Sequence, residues 1–335
     1  MARRRLSEQQ KARIAGIQEK RRQRAEAEAE QILGAPVEAT QQAGRIVVRH
    51  GRNLLIRPQQ GGAVRGMLRA NLGEVVCGDR VVWQPTGDNA GVVVAVKPRT
   101  SALTRPGASG AEKAIAANIT QLVVVLAPQP EPTGYLVDQY LVAAERIGIN
   151  ALICLNKSDL QDQAGRSEFR AQFAHYEPLG YPVIQISAKT EHGLKPLQRR
   201  LRGQTSILVG QSGVGKSSLV NALIPCETVR EGGLSDATGL GRHTTSAATL
   251  YDLESGGELI DSPGVRSFRL GPLTREQLER GFREFLPLIG QCRFHNCVHL
   301  AEPGCAIRAA MEAGNILPQR LESYQHMVSR VNDGT

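Results

Sequence analysis

Two short stretches of this chain carry the residue types that nucleotide chemistry needs. Gly210-Gln211-Ser212-Gly213-Val214-Gly215-Lys216-Ser217 fits G-x-x-x-x-G-K-[ST], with Ser218 following. It falls between an apolar run, "SILVG", and a helix-like opening, "KSSLVNAL". In that strand–loop–helix setting, glycines let main-chain N–H groups approach phosphate oxygens, and a helix N-terminus favours their negative charge. Lys216 should reach the β- and γ-phosphates, and the Ser217 hydroxyl should ligate Mg²⁺. The second stretch, Asn156-Lys157-Ser158-Asp159, ends the apolar run "ALICL". Asp159 can accept hydrogen bonds from guanine N1–H and its N2 amino group, which adenine does not offer. A buried carboxylate left unpaired is costly, so it discriminates strongly between bases. Asn156 would tie this loop to the phosphate loop, and the Lys157 stem would cover the base. Ser187-Ala188-Lys189, at the end of the next apolar run, supplies a second base-contacting loop.

Asp261-Ser-Pro-Gly264 closes the run "ELI" downstream of the phosphate loop. Its carboxylate can hold the metal, usually through water, and the Gly264 N–H can meet the γ-phosphate. Between them "GLGRHTT" has the place of a first switch segment, where Thr244 or Thr245 would give Mg²⁺ a second hydroxyl. Val265 stands where many GTPases have the glutamine that orients the attacking water, so unassisted turnover should be slow. His243 is the candidate helper in catalysis, with a group from a bound partner as its competitor.

These motifs stand in an unusual order. The base-reading loops precede the phosphate loop, whereas an ordinary GTPase has them after it. A circular permutation reconciles them, because all sit at the carboxyl ends of strands in one parallel sheet and can converge on a single nucleotide.

Near the C-terminus, Cys292, Cys297 and Cys305 crowd together with histidines at 295 and 299. Three thiolates and one imidazole match a closed, structural tetrahedral zinc site, with no position left for a catalytic water.

The elements that must position these groups fall into blocks. Between Gly44 and Val96, five β-rich runs alternate with glycine breaks, the texture of a small antiparallel barrel of OB-fold or SH3-like type. "KPRTSALTRPGASG" reads as a linker. From Thr120, continuous apolar runs such as "QLVVVLA" alternate with helical stretches, as in an α/β doubly wound sheet. After Gly271 the pattern is helical. The expected organisation is a multidomain chain: a basic, disordered N-terminal arm over 1–43, an OB-fold barrel over 44–105, a circularly permuted α/β P-loop GTPase domain over 115–270, and an α-helical zinc-binding domain over 271–335.

Charge separates the blocks further. Residues 1–110 hold 19 Lys and Arg against 9 Asp and Glu, while the remainder holds 22 against 23. A polyanion partner for the first third follows. That third contains no Phe or Tyr and only one aromatic residue, Trp83. Single-strand binders stack bases on several aromatic side chains, so folded RNA read through phosphates and shape is expected instead. Arg45, Arg49, Arg52, Arg57, Arg65 and Arg69 are the candidate contacts. No run is long and apolar enough to span a membrane, and the N-terminus lacks the apolar core of a secretory signal. A monomer in the cytoplasm is expected.

The motifs "NKSD", "SAK", "GQSGVGKSS", "GRHTT", "DSPG" and "CRFHNCVHLAEPGC" together resemble the small ribosomal subunit biogenesis GTPase family, from about Gly44 to the C-terminus. The resemblance implies GTP hydrolysed to GDP with Mg²⁺, one Zn²⁺ held by Cys292, Cys297, His299 and Cys305, and a 30S subunit partner contacted through 16S rRNA. It also implies a late checkpoint in subunit maturation, with turnover slow alone and faster on the subunit. A generic P-loop ATPase or nucleotide kinase is disfavoured by the two guanine-type loops. An RNA-binding scaffold locked by GTP would show no stimulation.

Overall fold

The computed structural model describes residues 41–332 apart from 52, 70–71, 88, 107–111, 225–247 and 263–272. The arm over 1–40, Arg52, His243, Thr244, Thr245, Gly264 and Val265 therefore lie outside the described residues.

Five strands form the barrel: β1 (Gln42–His50), β2 (Asn53–Pro58), β3 (Val64–Leu68), β4 (Arg80–Gly87) and β5 (Ala90–Val96). They pair in the order β1-β2-β3-β5-β4, and β4 returns to β1, closing the ring. The β3–β5 pair is parallel while the others are antiparallel. This Greek-key closure is that of an OB-fold, the first of the two barrel types expected. Ile46, Ile56, Val81, Val93 and Trp83 fill the interior. Trp83 is buried, so the barrel's single aromatic is spent on its core.

The stretch read as a linker is partly structured. Ala102–Pro106 (β6) pairs antiparallel with Glu112–Ala117 (β7) in a hairpin that straddles the expected domain boundary. Leu103, Ala116 and Ala117 are buried, and Cys77 bridges to Ala116. A Gly- and Pro-bearing segment conceals this, because its apolar residues alternate too briefly to show a period.

The GTPase sheet contains β8 (Gln121–Leu126), β9 (Asn150–Leu155), β10 (Val183–Gln185), β11 (Thr205–Val209), β12 (Thr249–Asp252) and β13 (Glu258–Asp261), ordered β10-β9-β8-β11-β13-β12. All neighbours run parallel except β12, the edge strand that turns back on β13. Every residue of β8 and β11 is buried, as expected for strands covered on both faces. The connecting helices are α1 (Gly134–Ile147), α2 (Gln163–Phe173), α3 (Leu194–Leu201) and α4 (Lys216–Leu223). Thr133 caps α1 by accepting from the Leu136 N–H, and Gly148 ends it with a left-handed φ of 69°.

Barrel and GTPase sheet are continuous, because β1 pairs antiparallel with β12 at Val48 and Thr249. An ion cluster clamps the junction. Arg45 and Arg57 both engage Glu258, Arg57 also engages Asp252, and Thr205 Oγ1 donates to Glu258 at 2.6 Å.

The C-terminal helices, α5 (Arg275–Arg280), α6 (Ala306–Glu312) and α7 (Pro318–Asn332), pack on the α1 side of the GTPase domain. Arg320 of α7 is 1 % exposed and lies between Asp138 of α1 and Glu284, whose carboxylate it meets at 2.6 and 3.0 Å. Tyr176 donates its hydroxyl proton to Asp138 at 2.6 Å. The two carboxylates hold Arg320 fully cationic despite its burial.

Candidate guanine-nucleotide site and zinc centre

The phosphate loop leaves β11 and enters α4, so its backbone geometry is set by one strand end and one helix start. Gly210 has φ 140°, and a Cβ there would lie 2.2 Å from the Val125 carbonyl oxygen, so only glycine passes β8 so closely. At Gly215, φ is 91° and a Cβ would lie 2.4 Å from Asn156 Nδ2. Lys216 Nζ donates to the Gly210 and Gln211 carbonyls at 2.7 and 2.6 Å, which folds its ammonium over the mouth of the loop. Asp261 ends β13, two strands from β8 and beside β11.

Asn156 joins the three loops. Its Nδ2 donates to the Val214 carbonyl of the phosphate loop at 2.9 Å, and its Oδ1 accepts from the Ala188 N–H at 3.1 Å. The side chain is 2 % exposed, so neither bond is shared with bulk water. The base-reading and phosphate motifs, inverted along the chain, are thus locked together in space. Ser187 Oγ donates to Asp159 Oδ1 at 2.6 Å and accepts from the Thr190 N–H at 3.1 Å. That fixes the carboxylate's orientation and leaves acceptor capacity on the group. Lys157 adopts a left-handed φ of 63° and its ammonium donates to the Gln129 carbonyl at 3.2 Å, while the Ser158 N–H donates to the Ile186 carbonyl at 3.0 Å. Ser212, Gly213 and Lys189 lie on the same loops, and Ser217 and Ser218 are in the first turn of α4.

One contact was missed in the sequence. The Tyr140 hydroxyl of α1 meets the Gly210 main chain, and burial pushes its pKa up to about 12. Tyr140 belongs to the apolar stripe of α1, so periodicity marks it only as core.

In the zinc centre, the ligand atoms of Cys292, Cys297, His299 and Cys305 all lie within 4.8 Å of one another. His299 Nδ1 is 3.6, 3.4 and 3.3 Å from the sulfurs of Cys292, Cys297 and Cys305, and Cys292 and Cys305 are 4.0 Å apart. Tetrahedral zinc, with bonds of about 2.0–2.1 Å to nitrogen and about 2.3 Å to sulfur, separates N and S by roughly 3.5 Å and two sulfurs by roughly 3.8 Å. The donor set therefore fits zinc in type and spacing. Burial pushes the Cys297 thiol up to about 12, and a divalent ion would hold it as the ligating thiolate. His299 Nε2 faces Glu279 at 3.5 Å, the carboxylate–histidine arrangement that orients a ligating imidazole. His295 is exposed, and the cluster uses His299.

The candidate RNA arginines divide. Arg45 and Arg57 are turned into the ion cluster at the barrel–GTPase junction. Arg49 donates to the Gly51 carbonyl at 3.0 Å and to the Val75 carbonyl, holding its own turn. These three have partners within the chain. Arg65 and Arg69 are exposed.

The model of the RsgA GTPase family matches residues 96–271. A small ribosomal subunit biogenesis GTPase RsgA from Hahella chejuensis is 47 % identical over 331 residues, covering 97 % of this chain and 95 % of the relative. The chain belongs to the RsgA GTPase family. Among solved structures, YjeQ from Thermotoga maritima is 31 % identical with a TM-score of 0.73, covering 87 % of this chain and 99 % of that one. YloQ, described as a circularly permuted GTPase, is 28 % identical with a TM-score of 0.69, covering 88 % and 96 %. Family membership makes the chain a GTP-hydrolysing enzyme that uses Mg²⁺, and the Cys₃His cluster accords with one zinc ion.

Proposed function

We propose that this protein binds the small ribosomal subunit during its assembly and hydrolyses GTP to GDP as a maturation checkpoint. The observation that carries the guanine-nucleotide part is the Asn156 bridge, which draws a base-reading loop and a phosphate loop into one site. In this reading Asp159 and the 187–189 loop select guanine, 210–218 and Lys216 hold the phosphates, and Asp261 and Gly264 sense the γ-phosphate. Ser217 and one of Thr244 and Thr245 ligate Mg²⁺, and His243 assists the attacking water. Mg²⁺ supplies charge neutralisation between the β- and γ-phosphates. The partner is inferred from the names of the relatives, which are small ribosomal subunit biogenesis GTPases. The contact to 16S rRNA runs through the basic barrel, with Arg65 and Arg69 as described candidates. Function as a monomer in the cytoplasm completes the proposal.

The test is GTP turnover with 30S subunits, with 50S subunits and alone, beside Asp159→Asn. Selective stimulation by 30S, with guanine preference lost in the variant, is expected. Equal turnover in all three conditions would refute the checkpoint and favour a GTP-locked scaffold.

A further inference from the structure

Helix α1 is gripped from two sides. Asp138, Val142 and Glu145 recur at i, i+4 and i+7, so they share one face of the helix. All three meet the C-terminal helices or the chain between them. Arg320 pairs with Asp138, and Arg283 Nε donates to Glu145 Oε1 at 2.8 Å. Val142 belongs to the apolar cluster of Leu278 and Phe282, and a Cβ on Gly281 would lie 2.8 Å from it. Arg283 also donates to the Leu179 and Gly180 carbonyls at 3.0 and 3.2 Å and covers the Tyr181 ring at 4.1 Å.

Tyr140 leaves the other face. Two residues on from Asp138 is about 200° around the helix. Tyr140 joins Val137, Leu141 and Ala144 in the apolar cluster beneath the parallel sheet. There its hydroxyl hydrogen-bonds the main chain of Gly210, the first residue of the phosphate loop. Tyr140 is 2 % exposed, so bulk water does not replace that bond. The Gly210 peptide has little room to adjust. The Val125 carbonyl excludes any Cβ on it, and Lys216 Nζ holds its carbonyl at 2.7 Å. Close-packed interiors transmit small displacements, so a shift of α1 is delivered to the phosphate loop.

We propose that Tyr140 is a positioning residue of the phosphate loop, and that seating the C-terminal helices on the Asp138–Val142–Glu145 stripe sets nucleotide affinity through it. Linkage makes the effect reciprocal, so bound nucleotide strengthens the seating by the same factor. The proposal needs only the guanine-nucleotide site and holds whatever the partner is. A partner that loosens the seating would weaken nucleotide binding.

The experiment titrates the full chain with a fluorescent GDP analogue as wild type, Tyr140→Phe, Arg283→Gln and the double variant. Arg199→Gln, on the exposed face of α3, is the control of equal charge change. Tyr140→Phe should weaken binding about 2- to 10-fold, the worth of one buried hydrogen bond. Arg283→Gln, which frees the stripe at Glu145, should weaken it by up to the same factor in the wild-type background. Once Tyr140 is Phe, the further loss should be less than about twofold. Unchanged affinity in Tyr140→Phe would sink the positioning role. Equal losses from Arg283→Gln in both backgrounds, or a matching loss in Arg199→Gln, would sink the coupling. Hydrogen exchange gives a second reading that does not depend on Arg283→Gln folding. Saturating GDP should slow exchange along α7 in wild type and do so less in Tyr140→Phe. Equal slowing in both proteins, or none in either, would overturn the proposal.

Discussion

Asn156→Ala tests whether the permuted motifs form one site. The substitution removes two hydrogen bonds, one to the Val214 carbonyl and one from the Ala188 N–H. Val214 is fully buried, so its carbonyl would lose its partner at a cost of about 1–3 kcal/mol. Ala188 is half-buried, so water can partly replace the lost acceptor there and about 0.5–1.5 kcal/mol is expected. Together these give about 1.5–4.5 kcal/mol, concentrated at the loops that Asn156 joins. At about 1.4 kcal/mol per tenfold, GDP affinity should fall about 10- to 1,500-fold. Titration with a fluorescent GDP analogue measures this, and a thermal melt run in parallel separates loop splaying from global unfolding. Asn156→Asp refines the test, since it keeps the acceptor for Ala188 but sets a carboxylate against the Val214 carbonyl. It should bind no better than the alanine variant. GDP affinity within twofold of wild type, with an unchanged melt, would show that the loops converge without Asn156 and would refute the reasoning.

Two further outcomes follow from the ion cluster and the zinc centre. Burial alone would raise the Glu258 carboxyl, but the Thr205 hydroxyl with Arg45 and Arg57 outweighs it and holds the carboxyl below its ordinary range. A lowered folded-state pKa stabilises above the unfolded value, about 4.3, and is lost as pH falls through the folded one. The melting difference between wild type and Glu258→Gln should therefore be full at neutral pH and shrink below about pH 4.5; a pH-independent difference would contradict this assignment. Zinc removal by chelation, or Cys305→Ser, should strip hydrogen-exchange protection from the Phe282, Phe285 and Tyr324 cluster, of which Phe285 and Tyr324 pack on His299 at 6.4 and 5.7 Å. Protection there that survives complete metal removal would show that apolar packing suffices.

What was legible in the sequence was whatever a local pattern of residue types encodes. The phosphate loop, the two guanine-type loops and the Cys/His cluster each lie within a short segment, because a strand end, a helix start or a zinc knuckle fixes its groups through nearby backbone. The barrel and the parallel sheet were readable through their runs of apolar residues, and the permutation followed from motif order. Three features depended on distant partners. Glu258 engages Arg45 and Arg57 from some 200 residues along the chain, which a count of basic residues does not show. Arg320 reaches Asp138 of α1 from α7, and nothing near either residue announces the pair. The β6–β7 hairpin opposes Arg105 with Lys113 only once the chain between them has turned back. A side chain's type is local information, but the neutralising charge it meets is set by tertiary proximity, as Arg45 and Arg57 show where β1 meets β12.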